Sequence, residues 1–164
     1  MCEFIHPQSR RPEILIDLIL IESSSPISRL RCLFSSRADL LTLILINSSS
    51  SMRRQDRQPL PNTPVTPRII ARANNRYGAV LSSLHSFWIA RAAAIAGSSA
   101  ARRDAYSVIL FDNGVVTPIT NDFTSTPDQL LDALLGYGTG RGTNFTLSIQ
   151  QAQTVMERNW SNER

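Results

Sequence analysis

The sequence predicts an α/β fold, a largely parallel sheet with helices on both faces, and three features carry that prediction. Leu41–Ile46 and Tyr106–Phe111 (LTLILI and YSVILF) are apolar runs without alternation, the pattern of strands buried on both faces. Between them lies a long stretch with apolar residues at three- and four-residue steps, which is a helix able to carry the chain from one parallel strand to the next. Two further helical patterns follow the second run, so both faces of the sheet can be covered.

At 164 residues, 42% of them hydrophobic, the chain suits one domain with an ordinary core. Every one of its 17 cationic residues is arginine, a bias that identifies no partner by itself. Residues 1–76 carry 11 arginines against 6 acids and residues 77–164 carry 6 against 7, so the net charge of +4 comes from the first half. Cys2 and Cys32 are too few for a disulfide framework and make no zinc site. Ile14–Ile21 is interrupted by Asp17 and falls well short of the roughly 20 residues that span a bilayer. With no good cleavage site after it, the expected location is intracellular, in the cytoplasm, without membrane attachment.

In chain order, residues 1–37 are an ill-defined amino-terminal segment and residues 38–164 the main domain. Leu18–Ser25 (LILIESSS) nearly repeats Leu43–Ser50 (LILINSSS); it either donates an extra strand or is a low-complexity coincidence, and the segment as a whole could be foreign to the domain. Ser23–Arg37 reads as a loop. The strand from Leu41 ends in the polar loop Asn47–Met52. Residues 53–67, with four prolines and no periodicity, read as an exposed Pro/Arg-rich excursion.

Tyr77, Val80, Leu81, Leu84, Trp88, Ala92 and Ile95 form one stripe on a helix that starts between Arg68 and Asn75 and ends near Gly97. His85 falls off that stripe and reads as a surface histidine. The Asp112-Asn113-Gly114 phrase after Phe111 predicts a tight hairpin with positive φ, and Val115–Thr120 returns antiparallel on an edge that tolerates Pro118. Thr126–Gly136 carries a capping Thr126, Pro127 in the first turn, Gln129 to complete a capping box and Gly136 for a left-handed end. A glycine-rich turn, Tyr137–Asn144, precedes a last helix marked by Phe145, Ile149, Ala152 and Met156 and ending near Arg158.

The polar loop is where chemistry is expected, because open α/β sheets bind ligands beyond the carboxyl ends of their strands. Asn47, Ser49 and Ser51 place hard oxygen donors at alternating positions there, of the kind magnesium or calcium accepts. The glycine turn follows a helix and lacks the phosphate-loop lysine and the dinucleotide spacing, so nucleotide binding is rejected. Its glycines are expected to let the backbone pass close to something else.

Strand, Asx-x-Ser-x-Ser loop, long helix, hairpin, short helix, Gly-rich turn with Thr, helix: in this order residues from about Ala38 onward resemble a von Willebrand factor type A domain. The phrases YSVILFDN, NDFTSTPDQLLDALL and GTNFTLSIQQAQTVMERNW are similar especially to copies from mushroom-forming fungi. The resemblance implies a three-layer Rossmann-like sheet. It also implies a metal-ion-dependent adhesion site, in which an Asp-x-Ser-x-Ser loop, a threonine and a later aspartate hold magnesium, whose open position takes an acidic residue of a partner protein. Carried over, Ser49 and Ser51 match the serine ligands, Thr143 matches the threonine and Asn47 stands where the family has aspartate.

Against that pattern Arg141 replaces a glycine of the turn, and the chain ends at Arg164 before the last aspartate. The expectation is therefore a degenerate site (Asn47, Ser49, Ser51, Thr143) with magnesium affinity weak or absent, on a sheet incomplete at its carboxyl-terminal side and prone to self-association. The resemblance implies a non-catalytic protein-binding module. No nucleophile elbow, histidine pair or acid-base pair suggests an enzyme. Two alternatives remain: a gene fragment without function, or nucleic-acid binding through the basic first half, a weaker reading because no aromatics interleave the arginines.

Overall fold

The computed structural model describes residues 15–21, 40–96 and 104–161. The cysteines, the expected Ser23–Arg37 loop and Gly97 lie outside these residues. Four strands, β1 (Leu15–Ile21), β2 (Leu40–Asn47), β3 (Ala105–Phe111) and β4 (Val115–Asp122), form one sheet in the order β1-β2-β3-β4. β1 and β3 flank β2 in parallel, and β4 pairs antiparallel with β3. The repeated phrase meets itself in register, Leu18 opposite Leu43 through Ile21 opposite Ile46.

Among the described residues the α-helices are α1 (Thr66–Ile70), α2 (Arg76–Ala96), α3 (Pro127–Leu135) and α4 (Phe145–Ser161). Their positions explain the unalternating strands. Ile44, Ile46, Val108 and Leu110 point to one face, where Ile69 of α1, Tyr77, Leu81, Leu84 and Trp88 of α2 and Leu130, Leu131 and Leu134 of α3 cover them. Leu43, Leu45, Ile109 and Phe111 point to the other face, against Ala152 and Val155 of α4. Residues 42–47 of β2 and 106–111 of β3 are buried on both faces, so both residue parities are mainly apolar.

Several expectations change in the folded chain. The helical stretch before Gly97 is two helices: α1 ends at Ile70, and Asn75 Oδ1 accepts the Gly78 amide at the start of α2. The stripe holds from Tyr77 to Trp88, whereas Ala92 is exposed and Ile95 half-buried. α2 is long and apolar enough to cross a membrane by length and composition, but its Tyr77–Trp88 side is packed in the core. His85 is buried, not on the surface, because α1 and α3 close over that side of α2 and set Asp128 beside it. The 53–67 excursion is anchored by buried Pro59 and Val65 and by the Leu60 amide donating to Ser82 Oγ at 2.9 Å.

The hairpin forms, but neither Asn113 nor Gly114 has positive φ. Phe111 pairs with Val115 across three residues, and Asp112 closes the turn by accepting the Gly114 amide at 2.8 Å. β4 is an edge strand, as Pro118 requires. The capping box of α3 is complete, with Thr126 Oγ1 accepting from the Gln129 amide and Gln129 Oε1 from the Thr126 amide. Gly136 ends that helix at φ −69, right-handed and not left-handed, its amide bonded to the Leu134 carbonyl.

Candidate functional site

β2 ends at Asn47, and the ladder to β3 runs one residue further, the Ser48 amide donating to the Phe111 carbonyl at 2.8 Å. Asn47 then turns the chain: its Oδ1 accepts the Ser49 amide at 2.8 Å, an Asx turn that uses the side-chain oxygen internally. A short 3₁₀ turn over Ser50–Arg53 follows, pinned by Met52, which is fully buried. Ser49 and Ser51 are thereby brought together with their Oγ atoms 2.9 Å apart. Asn47, Ser48 and Ser49 are buried and Ser51 half-buried, so the loop is a fixed feature of the sheet edge.

The glycine turn packs against this loop. Gly140 donates its amide to the Ser48 carbonyl at 2.7 Å, and the Asn113 amide donates to the Arg141 carbonyl at 3.0 Å. The glycines serve close approach, as expected. A Cβ on Gly140 would lie 1.5 Å from Asp112 Oδ2, and one on Gly142, at φ +67, would lie 1.9 Å from Asn113 Oδ1. Gly138 has no such neighbour.

Thr143 is on the same edge but exposed, and no hydrogen bond joins it to Asn47, Ser49 or Ser51 among the described residues. The threonine that contacts the loop is Thr139, whose Oγ1 and carbonyl accept from Arg53 Nε at 2.9 Å and Nη2 at 2.7 Å. Neither Arg53 nor Thr139 carried a sequence signal. Asp112 did: it follows β3 immediately, one strand across from Asn47, and the rule that selected the Ser loop selects it too.

The two serine hydroxyls match magnesium in spacing, and the expected set fails it in charge. Neighbouring ligands of an octahedral ion with bonds of about 2.1 Å sit about 3 Å apart, close to the Ser49–Ser51 separation. Magnesium in proteins is nevertheless held through carboxylates, and the expected set is neutral. The Asp112 carboxylate is turned to the Gly114 amide and to Gly140. Among the described residues, no three His, Cys, Asp or Glu side chains converge as a metal site.

A comparison with protein families agrees with this architecture: the family model described as von Willebrand factor type A domain matches residues 42–164. The chain belongs to that family. The match begins within β2 and takes in the Ser loop, the hairpin, the glycine turn and α4. Neither the search of curated proteins nor that of solved structures returned a match. Type A domains generally mediate protein interactions and are typically non-catalytic.

Proposed function

We propose that this type A domain is a non-catalytic protein-interaction module whose binding edge is formed by the Asn47–Ser51 loop and the facing glycine turn, with a degenerate cation site. The observation that supports this most is the Gly140 amide bonded to the Ser48 carbonyl at 2.7 Å. It seats the turn on the serine loop at the sheet edge where α/β folds receive ligands. Divalent-cation affinity is weak or absent, because Asn47 brings no charge, and its Oδ1 already accepts the Ser49 amide with one lone pair. The partner presents an acidic residue, matched to the Arg53 and Arg141 side of the edge. The module acts in the cytoplasm, without a nucleotide and without membrane attachment.

Selection from a displayed peptide library against the whole chain tests the reading. Binders are expected whose affinity falls at least tenfold with Arg141→Glu and is unchanged by Arg72→Ala on the distant exposed segment after α1. Failure to obtain any binder sensitive to this edge would overturn it. Thermal melting with and without magnesium is expected to differ by no more than a small shift that vanishes in Ser49→Ala.

A further inference from the structure

At the end of the sheet away from the serine loop, a crevice of about 330 Å³ opens between the second half of α2, the start of β3 and the loop that joins β4 to α3. That size reaches the roughly 300 Å³ at which small-molecule sites begin. Its walls are apolar and aromatic: Ala92 and Ile95 of α2, Leu130 of α3, and the side chains of Trp88, Tyr106 and Phe123. Trp88 and Tyr106 are buried and meet edge-to-face with their ring centroids 6.0 Å apart, whereas Phe123 is 56% exposed. Two carboxylates line the same space. Asp104 is neutralised by Arg91 through two hydrogen bonds. Asp122, opposite Tyr106 in the ladder between β3 and β4, forms no ion pair among the described residues. Its oxygens accept from neutral groups instead, Oδ1 from the Thr124 and Ser125 amides at 2.9 Å each and Oδ2 from the Ser125 hydroxyl at 2.7 Å. Burial works against its charge, and these donors outweigh burial and hold its pKa below the ordinary carboxylate value. Among the described residues the crevice thus carries one negative charge without a counter-ion, set beside aromatic rings.

We infer that this crevice is a second ligand site, which takes a small organic cation with an apolar body, of the quaternary-ammonium kind. Aromatic rings attract such cations through their quadrupole, and the Asp122 carboxylate adds a Coulomb attraction that salt screens less in a half-buried place than at an open surface. The apolar walls of α2 and α3 suit the body of the ligand. A quaternary ammonium has no N–H donor and so asks no further hydrogen bond of Asp122. A guanidinium from a partner protein would instead want paired carboxylate acceptors, which the Thr124–Ser125 loop already engages. The site shares no residue with the serine-loop edge and stands or falls apart from the proposed function.

Titration of the whole chain with benzyltrimethylammonium chloride, followed by ligand-detected NMR, tests this. Saturable binding with a dissociation constant of about 1 mM or tighter is expected. Asp122→Asn keeps an acceptor for the loop amides but removes the charge, and is expected to weaken binding about fivefold; Phe123→Ala, at an exposed position, is expected to weaken it about as much. Asp132→Asn removes the same charge from an exposed position on α3 outside the crevice and is expected to leave binding unchanged. No saturation up to about 20 mM, equal weakening by Asp132→Asn, or binding of neutral benzyl alcohol as tight as that of the cation overturns the inference. Tighter binding of N-acetylarginine methylamide than of the quaternary ammonium also overturns it, by making the occupant a protein side chain. Melting curves of each variant separate a lost contact from a lost fold.

Discussion

Arg91 meets the buried Asp104 carboxylate side-on, Nε to Oδ2 at 2.6 Å and Nη2 to Oδ1 at 2.7 Å, and the Tyr106 hydroxyl donates to the same Oδ2 at 3.0 Å. This pair links α2 to the start of β3, at the end of the sheet away from the serine loop. Removing one partner leaves the other buried and uncompensated. Arg91→Ala is therefore expected to destabilise the chain by about 3 kcal/mol, read from urea unfolding. A loss below about 1 kcal/mol, the range of exposed pairs, would show that Asp104 finds water instead.

His85 makes the chain sensitive to mild acid. Burial pushes its pKa below the ordinary value, and although Asp128 opposes that shift, its Oδ1 is 3.6 Å from Nε2, too long for a hydrogen bond, and is held by Arg68 at 2.7 Å. The unfolded chain thus takes up a proton near pH 6.5 that the folded chain resists. Stability is complete above about that pH and is lost as the pH falls toward the lowered value. Urea midpoints measured downward from neutrality are expected to decline, and His85→Gln to flatten that part of the curve.

Tyr77 acts at the opposite end of the pH scale. Burial, and then the nearby Tyr137, raise its pKa well above the usual value near 10. A raised value means that the folded chain holds the phenolic proton longer, so the contribution is fully present below about pH 10 and is lost as the pH rises past it. Alkaline melting curves are expected to fall steeply there, and less so for Tyr77→Phe. The substitution gives up only a long contact from the hydroxyl to the Leu134 carbonyl at 3.4 Å.

Gly140→Ala is expected to cost about 2 kcal/mol, because the new methyl collides with Asp112 and the amide loses its place on Ser48. Removing the carboxylate relieves the collision. The Gly140→Ala, Asp112→Ala pair should then be destabilised by less than the sum of the two single changes. Strict additivity would place the two residues out of contact.

Much of the fold was legible because it rests on local rules. The unalternating runs of β2 and β3, the stripe on α2 and the capping box of α3 are each written within about 20 consecutive residues. The candidate site was legible in part. Asn47, Ser49 and Ser51 lie within five residues, and their approach follows from one Asx turn and one 3₁₀ turn. Thr143 came from family likeness, and the structure does not bond it to the serines. Arg53 and Thr139, 86 positions apart, had no signal, because a side-chain bridge between loops leaves no periodic trace in a sequence.

What the sequence determined alone is β2, the stripe of α2, β3, β4, α3 and α4 in their order, while it left β1 open and missed α1, since backbone propensity, capping and hydrophobic period act over one or two turns of chain. Tertiary structure alone decided which surfaces met. It buried His85 by closing α1 and α3 over α2, and it made Gly140 obligatory by setting Asp112 against it. It also placed an arginine between the serine loop and the glycine turn. Each of these depends on the distance between atoms far apart in sequence, and that distance exists only after the sheet has assembled.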